Sequence, residues 1–509
     1  MPPFPRLAPA ALLAAVALCA CARAAPHPHL VFILSDDLGS FAPGYVNPAI
    51  ISPALDALAA DGVVLSSFYS YKFCSPSRTS FLTGRMPYKL EGTRDNLIPF
   101  SQLDGLNLNF TLLPAKLKQA GYTSIAVGKW HAGLYSPAYL PLARGFDAFN
   151  GFLAGGQDHF SQQSFGECGC AQKDITVNSS VAPALQGEYN AVRFASAAVA
   201  AIEANDAATT PLFLFVALQN THAPLQAAAQ WEALYPGIAY AKRRAYMAMV
   251  STIDSAVANV TAALKRTGHW GDTLFVWASD NGAPVEAGGS NWPLRGGKGT
   301  NFEGGVRLPA LVNGGRLAAA LRGKNETGLV HMCDLYATFA AQAGVDPSDG
   351  AWAPVDGLDL SALLVTGANA TSPRTRIVHQ HDMYNKSAGA VGALRDGDWK
   401  LIVGTEKTYA GWYGVDSADH FSPPESGALN TSDACSAERP CLFNVAEDAQ
   451  ERHDLAASRP DKVAELLAIF HSYDSEHHPS PVTPATDAAG CCAASKANGG
   501  YLAPWRADP

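Results

Sequence analysis

Along residues 29–310 one pattern recurs: a continuous apolar run of strand length stops abruptly in charged, amide or imidazole residues, and a helical stretch separates it from the next. "HLVFILSDDLG" ends in Asp36 and Asp37, "TSIAVGKWH" in Lys129 and His131, "PLFLFVALQNTH" in His222, and "TLFVWASDNG" in Asp280 and Asn281. Well-punctuated helix candidates lie among them: "SPALDALAADG", opened by Ser52-Pro53 and closed by Gly62, then "LLPAKLKQAG", "NAVRFASAAVAAIEAN" and "YAKRRAYMAMVSTIDSAVANVTAALKRTG". Strands that are apolar throughout, alternating with helices, predict an α/β fold with a large, mostly parallel sheet sandwiched by helices. In such sheets ligands bind beyond the carboxyl ends of the strands, so all these polar residues point to one site.

After about residue 365 the texture changes. "RTRIVHQH" and "AVGALRDGDWKLIVG" read as strands, the second a hairpin turning at Asp396-Gly397, and "RPDKVAELLAIFHSYDSE" reads as a helix. These elements predict a smaller C-terminal α+β subdomain, an antiparallel sheet with a helix packed on it, while the tail "PSPVTPATDAAGCCAASKANGG" reads as loop. A chain of 509 residues exceeds what one small core organises. The expected division is 1–25 as a signal peptide, 26–365 as the catalytic domain and 366–509 as the antiparallel-sheet subdomain.

Composition narrows the class. With 48% apolar and 16% charged residues the chain is neither disordered nor fibrous, and it holds enough apolar side chains for a sizeable core. A net charge of −9 without a basic stripe removes the electrostatic basis for nucleic-acid binding, so an anionic substrate requires locally placed cations. The opening "MPPFPRLAPAALLAAVALCACARAA" has the charge, apolar run and small-residue end of a secretory signal cleaved near Ala25. An uncleaved anchor and a lipidation site at "LCAC" are the other readings, and no later segment reads as a membrane span. On a eukaryotic secretory route the seven sequons at Asn109, Asn178, Asn259, Asn325, Asn369, Asn385 and Asn430 become glycosylation acceptors. Of ten cysteines, Cys19 and Cys21 leave with the signal. Cys435 and Cys441 bracket a short loop and are expected to pair, Cys333 sits in a helical apolar pattern as a buried free thiol, and the remaining connectivity is open.

Asp36, Asp37, Asp280 and Asn281 offer oxygen ligands only, a set suited to a hard cation, with Ca²⁺ favoured because it tolerates flexible multi-carboxylate cages. Either pair alone also fits a turn or helix cap. Lys129, His131, His222 and Lys298 supply cationic and proton-transferring groups, and Arg78 a fixed positive charge. Beside a cation they describe a pocket for a tetrahedral oxyanion. In "KFCSPSRTSFLTGR", Ser75-Pro76 starts a helix, so Cys74 lies at its positive end with Arg78 one turn on. Cys74 is open there to thiolate chemistry or to a structural disulfide.

These stretches resemble the type I sulfatases, and most closely the arylsulfatase B group. "CSPSRTSFLTG" resembles the family's first signature, Cys-x-Pro-Ser-Arg-x-x-x-Leu-Thr-Gly, and "GYTSIAVGKWH" its second. "FVALQNTHAPLQ", "SDNG", "GGSNWPLRGGK", "EGGVR", "DGDWKL" and "ERHDL" extend the resemblance over residues 29–454. It implies an alkaline-phosphatase-like fold and a sulfuric ester hydrolase acting on aryl sulfates or sulfated sugars, N-acetylgalactosamine 4-sulfate among the candidates. It also implies that a formylglycine-generating enzyme oxidises Cys74 to formylglycine, whose hydrate attacks sulfur. Ca²⁺ is then held by Asp36, Asp37, Asp280 and Asn281 together with the oxygen of residue 74. Arg78 and Lys129 steady the diol, His131 handles its second proton, and Lys298 and His222 bind sulfate, one of them protonating the leaving alcohol. The chain departs from the family pattern at Ser40 and Phe41, where an aromatic and then an acidic residue are usual, and at Phe73 before the cysteine. Rival readings are a phosphate monoester or diester hydrolase and a non-catalytic secreted glycan-binding relative. The rim segments "GQDHFSQQSFGECGC" and "HQHDMYNK" are expected to select the alcohol, with His381 or Asp382 touching a sugar.

Overall fold

The computed structural model describes residues 27–90, 101–166, 168–350, 354–368, 371–382, 391–404, 406, 410–412, 435–476 and 485–507. The expected signal peptide, Cys19, Cys21 and the sequons Asn369, Asn385 and Asn430 lie outside them. In chain order come β1 (His29–Ser35), α1 (Pro53–Asp61), β2 (Val63–Leu65), β3 (Phe68–Tyr69), α2 (Cys74–Thr83), α3 (Leu113–Leu117), β4 (Thr123–Lys129), β5 (Ala148–Phe152), β6 (Thr176–Val177), β7 (Ser180–Val181), α4 (Asn190–Ala204), β8 (Leu212–Ala217), α5 (Ala229–Glu232) and α6 (Ala241–Arg266). There follow β9 (Thr273–Ser279), α7 (Glu303–Val306), β10 (Arg307–Leu308), β11 (Ala310–Asn313), β12 (Lys324–Glu326), β13 (Val330–His331), α8 (Met332–Gln342), α9 (Ser361–Leu364), β14 (Arg376–Asp382), β15 (Val391–Asp396), β16 (Trp399–Val403), β17 (Cys441–Asn444), α10 (Pro460–Ser472) and α11 (Ala488–Ala497).

A ten-stranded sheet in the order β12-β2-β11-β9-β1-β8-β4-β5-β6-β7 forms the centre. Its core strands β9, β1, β8, β4 and β5 are parallel, with Val31 level with Leu214 and Phe275. Antiparallel strands β11 and β6 flank them. Because side chains alternate along a strand, Leu30, Phe32 and Leu34 of β1 pack with Phe81 of α2 and Phe339 of α8, while Val31 and Ile33 pack with Phe194 of α4 and Tyr246 of α6. Both faces are thus apolar and helix-covered, which is why these strands read as unbroken apolar runs. Each such fully buried side chain contributes about 1.5–3 kcal/mol.

Several elements differ from the expectation. "LLPAKLKQAG" yields the short α3 and a 3₁₀ turn over Lys118–Ala120, closed by Gly121 at φ 77°. By length and hydropathy α6 does qualify as a membrane span, but 78% of that window is buried, and it serves as a core helix. In the β15–β16 hairpin Asp396 pairs with Trp399, so the turn is Gly397-Asp398, one residue later than expected.

The four-stranded antiparallel sheet β14-β15-β16-β17 carries α10 on one face, with Leu466 and Phe470 against Leu394 and Leu401. The tail expected as loop contains α11, whose first turn is capped by the Asp487 side chain accepting from the Gly490 amide. Disulfides Cys168–Cys491 and Cys170–Cys492 fasten α11 to the segment after β5, and Cys435–Cys441 closes the expected short loop. Residues 366–509 therefore combine a sheet with a tail that is covalently tied to the larger unit. Cys333 is buried and free, as expected.

Candidate active site

Four adjacent parallel strands deliver the predicted polar residues to one corner: β1 leads into Asp36 and Asp37, β9 into Asp280 and Asn281, β4 into Lys129 and His131, and β8 into the turn that carries His222. Tight turns make the convergence possible. A Cβ on Gly39 would lie 2.1 Å from the Ser290 carbonyl oxygen, and one on Gly282 would lie 1.9 Å from that of Gly304. Asp37 and His131 adopt left-handed backbones, φ 59° and 56°, a strain that persists where surroundings over-determine it. At Asp37 the Tyr246 and Thr221 hydroxyls both donate to its carbonyl oxygen, each at 3.0 Å.

Ligand atoms of Asp36, Asp37, Cys74 and Asp280 all lie within 4.8 Å of one another, and all four residues are buried. Asn281 donates from Nδ2 to Asp37 Oδ1 at 2.7 Å, while its buried Oδ1 has no hydrogen-bond partner. An orphaned amide oxygen costs free energy unless something electropositive meets it. Three carboxylates and this oxygen fit a hard cation.

Cys74 is free, fully buried, and the first residue of α2. Its thiol donates to Asp36 Oδ1 at 3.3 Å, and burial together with the Asp36 charge pushes the thiol pKa far up. The disulfide reading falls because the sulfur is unpaired, while burial and Asp36 favour the thiol over the thiolate. One turn on, Arg78 donates from Nε and Nη2 to Asp280 Oδ2 at 3.0 and 2.8 Å. Lys129 Nζ reaches Asp36 Oδ2 at 2.6 Å. Burial raises the Asp36 carboxyl, but Lys129, His222 and Arg78 outweigh it and hold it well below the carboxylate range. Burial and then Asp36 push Asp280 up to about 7.

His131 is buried, and burial reinforced by Lys129 and Arg78 keeps its ring neutral. His222 Nδ1 lies 2.7 Å from the Ala223 carbonyl oxygen, a contact that assigns the proton to Nδ1 and leaves Nε2 as an acceptor. Burial and then Lys298 lower its pKa to about 4. Burial opposes the charge on Lys298, but Asp37, 2.7 Å away, more than offsets it and keeps the ammonium protonated. A cavity of about 710 Å³ opens here, lined by Asp37, His222 and Lys298 on one side and by Phe73, Leu225 and Pro284 among others.

Other expectations resolve differently. Phe165 of the first rim segment stacks on His222, ring centroids 6.2 Å apart, so that segment reaches the site. His381 does not: its side chain is buried under α10, with Nε2 2.9 Å from Asp474 Oδ1 and the ring 4.6 Å from Phe470. Strand alternation turns the preceding Gln380 the other way, where Lys72 Nζ donates to its Oε1 at 2.6 Å. Residues 383–386 of that rim segment lie outside the described residues. The departures Ser40 and Phe41 pack onto the loop that carries Lys298, Ser40 donating to the Asn291 carbonyl at 3.1 Å and Phe41 lying edge-on to Trp292 at 4.9 Å.

One cluster went unrecognised at the sequence level. Buried Lys400 of β16 lies 2.9 Å from both Glu303 Oε1 and Glu451 Oε1, and the Glu303 amide donates to Glu451 Oε2 at 2.7 Å. Its members sit in "EGGVR", "DGDWKL" and "ERHDL", stretches quoted as motifs without a physical role.

A cationic pocket beside a buried acidic cage, at the strand ends of a helix-covered parallel sheet, is suited to binding a tetrahedral oxyanion and stabilising its charge. Residues 28–345 match the family model described as Sulfatase. Mouse arylsulfatase J is 35% identical over 94% of this chain and 80% of its own length. Mouse N-acetylgalactosamine-6-sulfatase is 31% identical over 92% and 90%, and bovine arylsulfatase A 31% over 89% and 88%. Among solved structures, Ps i-CgsB in complex with k-i-k-neocarrahexaose superposes with a TM-score of 0.73 and 26% identity, over 93% of this chain and 98% of that one. The chain belongs to the sulfatase family and is a sulfuric ester hydrolase.

Proposed function

We propose that this chain is a Ca²⁺-dependent sulfatase of the secretory pathway whose nucleophile is formylglycine made from Cys74, and that it hydrolyses aryl sulfates or sulfated sugars, N-acetylgalactosamine sulfates among them. The observation that carries this reading is the free, protonated Cys74, 3.3 Å from Asp36 within the acidic cage and one helical turn from Arg78. Such a thiol is a poor nucleophile and a well-placed precursor. Formylglycine hydrate supplies two geminal hydroxyls, one to attack sulfur and one to expel sulfate, and Ca²⁺ supplies positive charge to the sulfate oxygens.

The chain's own residues have separable tasks. Asp36, Asp37, Asp280 and Asn281 would hold the cation, with the unpartnered Asn281 Oδ1 as a neutral ligand. Arg78 and Lys129 steady charge at residue 74. Neutral His131 accepts the proton of the second hydroxyl. Lys298 and His222 bind the sulfate and one of them protonates the leaving alcohol; Asp37 keeps Lys298 protonated, whereas burial and Lys298 favour neutral His222. The three disulfides and the exposed sequons Asn109, Asn178, Asn259 and Asn325 support passage through an oxidising, glycosylating compartment.

The test is mass spectrometry of the tryptic peptide Phe73–Arg78 from a secretory host, followed by hydrolysis of matched aryl sulfate and aryl phosphate. An aldehyde at residue 74 and a preference for sulfate are expected. An unmodified Cys74 in a host that modifies other sulfatases, or a preference for phosphate, overturns the reading.

A further inference from the structure

The cavity beside Lys298 and His222 is larger than a sulfate group needs. Its volume of about 710 Å³ falls in the range that encloses a ring-bearing ligand, and beyond the residues assigned to sulfate its walls are Phe73, Leu225, Pro284 and Ala287, with Lys242 and Glu286 at the rim. Phe73 stands out because its place is set by the nucleophile's helix. It is the N-cap of α2, its carbonyl accepts from the Ser77 hydroxyl at 2.9 Å, and one peptide bond joins it to Cys74. These contacts fix the backbone from which the Phe73 side chain leaves, next to the reacting atom.

We propose that this cavity is the alcohol subsite, that Phe73 is its specificity-determining residue, and that it takes a monosulfated ring with an apolar face, an aryl group or a pyranose. The inference rests on the sulfatase reading. Phe73 lines the same cavity as Lys298 and His222, so an alcohol joined to sulfate held by those two residues has Phe73 among its walls. An aromatic wall stacks on the face of a ring and gains little from a linear chain. Outside the sulfate set the lining holds one ammonium, Lys242, and one carboxylate, Glu286, so a second anionic group on the substrate gains no net attraction.

The test compares wild type, Phe73→Ala and Phe73→Leu, each with the aldehyde content of residue 74 measured by mass. The substrates are p-nitrophenyl sulfate and N-acetylgalactosamine sulfate, and inorganic sulfate serves as a competitive inhibitor that reports the sulfate position alone. Phe73→Ala is expected to raise KM about tenfold for at least one ring substrate while the inhibition constant of inorganic sulfate moves less than about twofold, with Phe73→Leu in between. Which substrate loses more separates an aryl from a pyranose preference. An unchanged KM for both, or KM and the sulfate constant rising together, overturns the proposal. A wild type that carries the aldehyde yet hydrolyses neither ester overturns the sulfatase reading beneath it.

Discussion

This protein buries two clusters of opposite charge, and their difference separates chemistry from fastening. In the first, Asp36, Asp37 and Asp280 face Arg78, Lys129 and Lys298 at the carboxyl ends of β1, β9 and β4. In the second, Glu303 and Glu451 face Lys400, with Arg395 and Arg307 near Glu303. Both are desolvated, so composition alone does not tell them apart. The first keeps an orphaned amide oxygen and opens on a cavity. The second has no lining residue in that cavity and joins α7 to β16 and the segment after β17. The loop that carries Lys298 is held by contacts outside this cluster: Gly296 donates to the Gly411 carbonyl at 2.8 Å, Arg295 Nε to that of Ala410 at 2.7 Å, and Asn301 Nδ2 to Gln380 and Glu406 at 2.7 Å each. Buried charge becomes functional where one ligand position is left for a guest.

The strongest way to break this contrast is Cys74→Ala, which removes the nucleophile's precursor from the open cluster. Its expected cost is at least about 10³-fold in kcat for an aryl sulfate, with the thermal midpoint nearly unmoved. Lys400→Met in the closed cluster should do the opposite. It leaves two buried carboxylates without their ammonium and is expected to lower stability by about 3–5 kcal/mol in urea unfolding, while kcat of the folded fraction stays within about twofold. A large loss of turnover in folded Lys400→Met would erase the distinction.

The closed cluster also predicts a pH dependence. Burial and then the Glu303 charge push Glu451 up to about 7, despite the pull of Lys400, while Lys400, Arg395 and Arg307 hold Glu303 well below its usual range. A carboxyl whose folded pKa is raised stabilises fully below its unfolded value near 4.5 and loses that contribution as pH rises through about 7. Stability should therefore fall by about 3 kcal/mol between those values, and Glu451→Gln should flatten the slope; an unchanged slope refutes the assignment. The smallest effect concerns the orphaned oxygen. Asn281→Ala should weaken the Ca²⁺-induced rise in melting temperature, shifting its half-saturation about tenfold, whereas Lys400→Met should leave that half-saturation alone.

Much of the site was legible because parallel strands are apolar along their length, so each abrupt polar ending marks a strand terminus and hence the ligand face. Asp36, Asp37, Lys129, His131, His222, Asp280 and Asn281 were found by that rule, and Cys74 with Arg78 by a helix start. His381 was misplaced for a reason of the same kind. A strand residue's direction depends on register, and one step along β14 turns a side chain from Lys72 to Asp474. The Lys400 cluster escaped notice because Glu303, Lys400 and Glu451 are far apart in the chain and each alone reads as a solvated surface charge. Helix α11 lies in the tail that read as loop, and two disulfides to distant Cys168 and Cys170 hold it in place.

By itself the sequence determined the fold class, the four long apolar strands β1, β4, β8 and β9 with the polar residues that end them, and the family, because each follows from local periodicity or contiguous motifs. Only the tertiary structure decided which charges share a cage, that Cys74 is buried and free of a disulfide, that Phe73 walls a cavity, and that Cys168 and Cys170 pair with Cys491 and Cys492. These depend on distances between segments up to 323 residues apart, and such distances are set by how the layers pack rather than by any stretch of chain read alone.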